Sequence, residues 1–330
     1  MGLVAVALGA GQARAAGFAD PLDLPAAMSP LAARRTLVAV AGAGDRLVAV
    51  GPRGHILRSA DGGATWAQAP SPVSSDLTAV FMLTPELGWA VGHDAVVLAT
   101  RDGGASWERQ LDARTLRRSR ATGGPAAAGA GAVPDASDSL LDVFFEDPRQ
   151  GWAAGAFGTL LRTEDGGRTW TRCQARAGNP GGLHVYAIRR AGGSLLAAGE
   201  QGLLLRLDGT GAARPAIGAP PGGSFFGLVV AGSTAVAFGL GGRAVRSEDG
   251  GASWGAVATG VGEPLLAGAA LADGRIALLA GSGRLLLSAD GGRTFQPVAA
   301  PTRPAFALAP AGPGAVALVG PGGVRRERLP

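Results

Sequence analysis

The amino-acid sequence predicts an all-β protein whose four-stranded antiparallel sheets stand around a closed ring, and three observations support this fold class. First, 47% of the 330 residues are apolar while 56 are glycine, so the chain can build a core but favours short strands and tight turns. Second, an eight-residue phrase close to SADGGATW recurs five times. Third, the repeated units follow one another at about 41 residues, the period of propeller blades. Seven units can be counted, so we expect a seven-bladed β-propeller.

Each unit predicts four strands, and the second unit shows them most clearly. Its strands are LTAVFML from Leu77, GWAVG from Gly88, VVLAT from Val96 and SWERQL from Ser106. A Gly-x-x-Gly step or its remnant lies between the second and third strands, and the eight-residue phrase lies between the third and fourth. The strands are apolar runs with little alternation, which is expected when stacked sheets bury both of their surfaces.

Two features depart from the regular repeat. The seventh unit starts near Gly320 and reaches Pro330 without room for a fourth strand. We therefore expect the segment Phe18–Arg34 to supply the outer strand of the last blade and close the ring, because its prolines suit an outermost strand. The interval between the second and third units is longer than the others, which places an insertion at 113–139 between blades two and three.

The repeated phrase has the composition of a tight turn. Its aspartate can accept backbone hydrogen bonds, its two glycines allow positive φ, and its final aromatic residue can pack between layers. The phrase is identified as the Asp-box (BNR) repeat, and the resemblance covers nearly all of residues 17–330. The resemblance implies that these turns lie at the outer rim, away from any ligand, and that their side chains are structural. The residues concerned are Asp61 and Trp66, Asp102 and Trp107, Asp165 and Trp170, Asp249 and Trp254, and Asp290 and Phe295.

Composition argues against several functional classes. All 30 cationic side chains are arginine, and they are scattered through the repeats, whereas nucleic-acid-binding proteins gather positive charge into a strip interleaved with aromatic residues. Cys173 is the only cysteine, and the three histidines lie far apart, so no metal-ligand spacing is present. We expect no nucleic-acid partner, no metal and no cofactor.

Residues 1–16 resemble a secretory signal peptide. The apolar run Leu3–Ala10 is followed by small residues and an Ala-Arg-Ala step that suits signal peptidase. No basic residue precedes the run, and an uncleaved apolar tail is the alternative. Because the run is too short to span a bilayer, we expect no integral membrane segment. Residues 17–330 are then expected to be a single propeller that is soluble, monomeric, and either periplasmic or otherwise exported to a lumenal side.

A glycine–tryptophan step in the second strand indicates which family of Asp-box proteins this chain resembles. It occurs in LGWAVGHDAVVLATRDGGASW from Leu87 and in QGWAAGAFGTLLRTEDGGRTW from Gln150. Together with DPLDLP at Asp20–Pro25 and GSFFG at Gly223–Gly227, these segments resemble the photosystem II stability/assembly factor family, especially its relatives in non-photosynthetic proteobacteria. The resemblance implies a non-enzymatic factor that binds a membrane-protein complex or its subunits. Its proteobacterial relatives are usually exported and often encoded beside an RND-type transporter.

Sialidases share the Asp-box repeat, so a glycan-binding or glycoside-hydrolysing propeller is the alternative. Sialidases resemble one another in an arginine triad, a tyrosine–glutamate pair and an acidic aspartate. The single tyrosine here, Tyr186, is interpreted as a buried strand residue. His93 and Asp94 are adjacent, and Asp94 with Glu200 would offer a carboxylate pair across the ring, but no third catalytic partner is visible.

Candidate binding residues lie in the Gly-x-x-Gly turns, on the face opposite the Asp boxes. Their middle residues vary inside a fixed frame, which is typical of a recognition surface and equally of solvated turn tips. The insertion adds arginines on an expected flexible arm that would contact an acidic protein surface or lipid phosphates, unless it is only a solvated loop. The candidates are Arg53, His93, Asp94, Phe157, Glu200 and Gln201 in the turns, and Arg114, Arg117, Arg118 and Arg120 in the insertion.

Overall fold

The computed structural model describes residues 19–121, 139–173, 178–209, 212–215, 222–299 and 303–330, which form seven antiparallel sheets. Six sheets contain four strands and the last contains three. The prediction of a seven-bladed β-propeller is confirmed. The expected signal peptide lies outside the described residues, as does the middle of the insertion, 122–138.

The strands follow chain order within every blade. Blade one contains β1 (Ala39–Ala43), β2 (Arg46–Val50), β3 (Ile56–Ser59) and β4 (Ala67–Ala69), and blade two contains β5 (Leu77–Met82), β6 (Gly88–Gly92), β7 (Val97–Thr100) and β8 (Glu108–Leu111). Blade three contains β9 (Leu140–Phe145), β10 (Gly151–Gly155), β11 (Leu160–Thr163) and β12 (Thr171–Arg172), and blade four contains β13 (Val185–Ala191), β14 (Ser194–Gly199), β15 (Leu204–Leu207) and β16 (Ala213–Pro215). Blade five contains β17 (Phe225–Ala231), β18 (Thr234–Gly239), β19 (Ala244–Ser247) and β20 (Gly255–Val257). Blade six contains β21 (Leu265–Ala270), β22 (Ile276–Ala280), β23 (Leu285–Ser288) and β24 (Gln296–Pro297), and blade seven contains β25 (Ala307–Pro310), β26 (Ala315–Gly320) and β27 (Gly323–Arg328).

The hydrophobic core lies between neighbouring blades. Trp89 of β6 stacks on Phe145 of β9 in the next blade, with 3.4 Å between ring centroids. Strands β6 and β10, which carry the glycine–tryptophan steps, are buried along their whole length, and this explains their apolar runs. The first strands of successive blades contact one another all the way round, and β25 contacts β1. The ring is therefore closed.

The segment before β1 does not close the ring as a strand, so that expectation is wrong. Residues 19–38, here called the N-terminal strap, contain two short 3-10 turns, Pro21–Asp23 and Ala32–Arg34, and blade seven gains no strand from them. The second turn packs against β27, and the Leu37 N–H donates to the Gly320 carbonyl at 3.2 Å. The strap thus bridges blade seven to blade one through irregular backbone.

The hydrogen bonds of the strap explain why it is irregular. Pro21, Pro25 and Pro30 have no N–H to give to a strand ladder. Of the N–H groups that remain, several close turns within the strap, as Leu22 does to the Asp20 Oδ1 at 2.9 Å, and two donate to the outer side of blade one: Ala26 to the Ser71 carbonyl at 3.1 Å and Ser29 to the Gln68 Oε1 at 2.7 Å. The strap consequently follows the outer edge of blade one.

The insertion after blade two begins as a helix, where a flexible arm was expected. Helix α1 spans Ala113–Ala121, and Asp112 caps it by accepting the Thr115 N–H at 2.7 Å. Arg114 of α1 forms ion pairs with Asp20 at 2.5 Å and with Asp23 at 2.8 Å. These contacts hold the strap against blade two. In the part of the chain that the structure describes, no helix is long and apolar enough to cross a membrane.

Candidate binding face

The five Asp boxes lie on one face of the ring, and their carboxylates are engaged within their own turns. In blade one, Asp61 accepts the Thr65 N–H at 2.9 Å, the Thr65 hydroxyl at 2.5 Å and the Ser59 hydroxyl at 2.7 Å. The same three bonds recur at Asp102, Asp165, Asp249 and Asp290. Chiefly the Thr65 hydroxyl and N–H hold the pKa of Asp61 at about 2. This geometry supports a structural role for the aspartates.

The aromatic residue that ends each Asp box packs between two blades. The Trp66 indole N–H donates to the Gly63 carbonyl at 3.1 Å, and Trp107 and Trp254 make the equivalent bond. Among the described residues the buried Trp170 indole N–H has no hydrogen-bond partner, and Phe295, 5% exposed, needs none. Four of these side chains are buried and Trp66 is half-buried, so they serve mainly as wedges of the core.

The Gly-x-x-Gly turns lie on the opposite face and have fixed backbones. Arg53, Phe157 and Gln201 adopt φ values of 58°, 53° and 53°, which cost a non-glycine residue roughly 1 kcal/mol. Each donates its backbone N–H to a side chain at the entry of the next blade: Arg53 to Asp76 at 2.8 Å, Phe157 to His184 Nδ1 at 2.9 Å and Gln201 to Ser224 at 3.3 Å. The turns therefore present their side chains from defined positions.

The acidic candidates on this face are held by neighbouring groups. The Asp94 carboxylate accepts the Ser75 hydroxyl at 2.8 Å, and no hydrogen bond joins it to His93 within the described residues. Glu200 accepts the His184 N–H at 3.1 Å, and its Oε2 lies 3.8 Å from the His184 Nε2. Among the described residues, no group of three or more His, Cys, Asp or Glu side chains is placed to hold a metal ion. Asp94 and Glu200 are thus each engaged with a different neighbour, Ser75 and His184.

Four aromatic rings form a continuous row on this face across blades three, four and five. The Phe157 ring lies 4.8 Å from that of His184, His184 lies 6.1 Å from Tyr186, and Tyr186 lies 5.8 Å from Phe226, measured between centroids. Phe157 is 44% exposed, and Tyr186 and Phe226 are half-buried. Tyr186 is thus not the buried strand residue that the sequence suggested. We call these four residues the aromatic row.

Two β-bulges position two members of the aromatic row, Tyr186 and Phe226. The pairing of β13 with β14 shifts between Val185 and Ala187, and that of β17 with β18 shifts between Phe225 and Gly227. Tyr186 and Phe226 are the extra residues at these bulges, and a bulge re-aims the side chain it carries. The sequence signal was an aromatic residue at the second position of two predicted first strands, in VYA and FFG.

The arginines of the insertion are only partly available. Arg114 is used in its ion pairs with the strap, while Arg117 and Arg118 are exposed on α1, and Arg118 donates to the Thr115 hydroxyl at 3.1 Å. Arg120 lies in α1, but its side chain is outside the described part. Arg114 is therefore engaged in holding the fold and is not available in the four-arginine cluster that the sequence predicted.

Comparison with known proteins adds to this geometry. The sequence model of the family described as photosynthesis system II assembly factor YCF48 matches residues 35–118 and 132–264, about two thirds of the chain. The chain belongs to this family. A curated YCF48-family relative, the photosystem II assembly lipoprotein Ycf48 of Synechococcus sp. (strain CC9902), is 33% identical over 90 residues, 27% of this chain and 21% of the relative. The photosystem II stability/assembly factor HCF136, chloroplastic, of Oryza sativa subsp. japonica is 37% identical over 73 residues, 21% of this chain and 17% of the relative. The alignments span about a fifth of these relatives.

Solved structures resemble this chain in fold over most of its length. A structure of YCF48 bound to a D1 peptide has a TM-score of 0.65 and 19% identity, covering 90% of this chain and 94% of that one. YCF48 from Cyanidioschyzon merolae gives 0.65 and 18%, covering 91% and 98%. A streptogramin B lyase gives 0.62 and 12%, covering 89% and 93%. At these identities the likeness concerns the fold alone, and the lyase shows that the fold by itself does not decide between binding and catalysis.

Proposed function

We propose that this YCF48-family chain is a protein-binding factor without catalytic activity that assists the assembly or stability of a membrane-protein complex. Membership of the family supports an assembly role, and the YCF48 structure bound to a D1 peptide supports a polypeptide ligand. The link to an RND-type transporter stays a prediction, because no comparison bears on it.

The aromatic row is the observation that carries this proposal. Aromatic side chains are enriched at the energetic centres of protein interfaces because they bury a large apolar area at little cost in side-chain entropy. Phe157 stands 44% exposed on a backbone fixed by its hydrogen bond to His184. A partner would therefore meet a surface that needs little ordering on binding, which favours affinity.

The same face offers poor support for glycoside hydrolysis, the alternative function. Asp94 and Glu200 are held by Ser75 and by the His184 N–H. Burial, and then the charge of Glu200, raise the pKa of Tyr186 above its ordinary value. The phenol is thus harder to ionise, the opposite of what a tyrosine nucleophile requires. These contacts favour binding over bond cleavage.

Export to the periplasm and a monomeric state belong to the same proposal. The apolar run and Ala-Arg-Ala step in residues 1–16 support export. Two curated relatives of this family are described as lipoproteins. Cell fractionation of a C-terminally tagged chain tests the location, and light scattering tests the monomeric state.

Affinity purification from detergent-solubilised membranes tests the binding function. The unaltered chain should recover a defined membrane-protein subunit, and Phe157→Ser should lower that recovery at least fivefold, because it removes the exposed end of the aromatic row. Phe306→Ser is the matched control, since Phe306 is also a partly exposed phenylalanine (38%) but lies at the entry to blade seven. Equal loss in both variants, or recovery of the bait alone, would contradict the proposal.

A further inference from the structure

A second candidate site lies between the N-terminal strap and blade one, away from the aromatic row of blades three to five. The space there is a cleft of about 490 Å³, within the usual range for small-ligand sites. Its polar lining consists of Arg35, Arg53, His55, Gln68, Ser29 and Thr36. None of the eight lining residues is acidic.

The walls of the cleft are built before any ligand arrives. Gln68 of β4 uses both ends of its amide on the strap: Oε1 accepts the Ser29 N–H at 2.7 Å, and Nε2 donates to the Ala27 carbonyl at 2.9 Å. The opposite wall is the turn Pro52–Gly54, whose Arg53 N–H is bonded to Asp76. A preformed cleft of this kind lowers the ordering cost of binding.

His55 at the base of the cleft has an unsatisfied polar atom. The residue is 9% exposed, and its Nε2 is buried without a hydrogen-bond partner in the described part of the chain. Such a group costs about 1–3 kcal/mol unless something pairs with it. Burial, and then the charge of Arg35, lower the pKa of His55 below its ordinary value of 6.5. The His55 ring therefore contributes an uncharged wall to the cleft at pH 7.

Both arginines of the cleft are free to bind an anion. Arg35 and Arg53 are exposed, and neither side chain forms an ion pair within the described residues, in contrast to Arg114 and Arg189, which do. A guanidinium group matches the two oxygens of a carboxylate with paired N–H donors. Two such groups in one cleft without an acidic lining residue make a site complementary to a planar anion.

We propose that this cleft binds a carboxylate, held by Arg35 and Arg53 beside the neutral ring of His55. The carboxylate is carried by a ligand about the size of a tripeptide, either the C-terminus of a peptide or a free small carboxylic acid. The site is independent of the aromatic row, because it is built from blade one and the strap and shares no residue with blades three to five.

Histidine NMR on the full chain tests this site directly, because the chain has only 3 histidines. The ring Cε1 proton of His55 is assigned by its loss in His55→Gln, or by elimination using His93→Gln and His184→Gln if that variant does not fold. The probes are acetyl-trialanine with a free carboxylate, the same peptide as its C-terminal amide, citrate and inorganic phosphate. We expect saturable movement of the His55 signal with acetyl-trialanine or citrate, and none with the amide. Saturation by the peptide assigns a chain terminus as ligand, and saturation by citrate alone assigns a free acid.

Substitution of the arginines separates the site from general charge. Arg35→Gln and Arg53→Gln should each weaken the binding at least tenfold, whereas Arg101→Gln, an exposed arginine on the Asp-box face, should leave it unchanged. Circular dichroism checks that all variants are folded. Equal shifts from the acid and the amide, equally tight binding of phosphate, or no shift up to ~10 mM probe, a weak-binding limit, would overturn the proposal. Failure of this site would leave the proposed function untouched, since the aromatic row is assayed separately.

Discussion

The first glycine of the Gly-x-x-Gly step, or of its remnant in blade two, tests how the blades are built, and Gly92→Ala is the sharpest perturbation. Gly92 is needed for space: a Cβ at this position would lie 2.0 Å from the Asp76 carbonyl oxygen and 2.9 Å from the Leu77 Cα. Both contacts are with backbone, so no side chain can rotate away. The equivalent glycine of blade five, Gly239, faces the Ser224 carbonyl at 2.1 Å in the same way.

The expected loss of stability follows from these contacts. The carbonyl oxygen must move away by about 1.4 Å, from 2.0 Å to the 3.4 Å of ordinary contact, which breaks the hydrogen bond from the His93 N–H to the Asp76 carbonyl, 2.9 Å in length. Overpacking against backbone costs about 1–3 kcal/mol, and the lost bond adds about 1 kcal/mol. We expect a destabilisation of about 3 kcal/mol, or roughly 6 °C in Tm for a chain of this size.

Differential scanning fluorimetry of Gly92→Ala beside Gly255→Ala measures this effect. Gly255 lies in β20, where a Cβ would meet nothing within 4 Å. The control should therefore change the stability by less than about 0.5 kcal/mol. If Gly92→Ala melts within 1 °C of the unaltered chain, the close approach described here is wrong.

Three further predictions concern the strap, the Asp boxes and catalysis. Leu22→Ala should lower the free energy of unfolding, measured by chemical denaturation, by about 2–3 kcal/mol, because Leu22 is buried against blades one and two. Leu31→Ala should hardly change it, because Leu31 is 52% exposed. Equal effects of the two substitutions would show that the strap is not docked. Burial raises the pKa of Asp102, but hydrogen bonds from Ser106 and Thr100 outweigh it and hold the value at about 2, against an ordinary 3.8. The stability from that carboxylate is therefore present above pH 3.8 and lost as the pH falls towards 2, so the Tm difference between the unaltered chain and Asp102→Asn should shrink over that range; a constant difference would contradict it. Fluorogenic glycosides should not be hydrolysed, and turnover abolished by Asp94→Asn would revive the glycoside hydrolase alternative.

The blades were predictable from the sequence because each is specified locally. The Asp-box aspartates bond only within their own turns, as Asp61 does with Thr65 and Ser59, so every residue needed to recognise the turn lies within a few positions of it. The apolar runs follow from burial between sheets. Local chemistry repeated at a constant period therefore determines the propeller.

The strap and the aromatic row were not predictable in the same way, because the strap depends on distant contacts and the row on local shifts of strand register. The path of the strap is set by Gln68 and by Arg114, which lies 91 residues from Asp23. The row depends on bulges at Tyr186 and Phe226, and a one-residue shift of register leaves little trace in an apolar strand. The bulge turned an expected core tyrosine towards the binding face.

Site-specific photocrosslinking tests the central claim, that this propeller binds a polypeptide partner through its Gly-x-x-Gly face. A photoreactive phenylalanine analogue replaces Phe157 in one variant and Arg168 in another; both are exposed residues of blade three, on opposite faces of the ring. Position 157 should yield a discrete adduct with one membrane-protein subunit, identified by mass spectrometry, and position 168 should yield none. Equal adducts from both positions, or no specific adduct from 157, would contradict the claim.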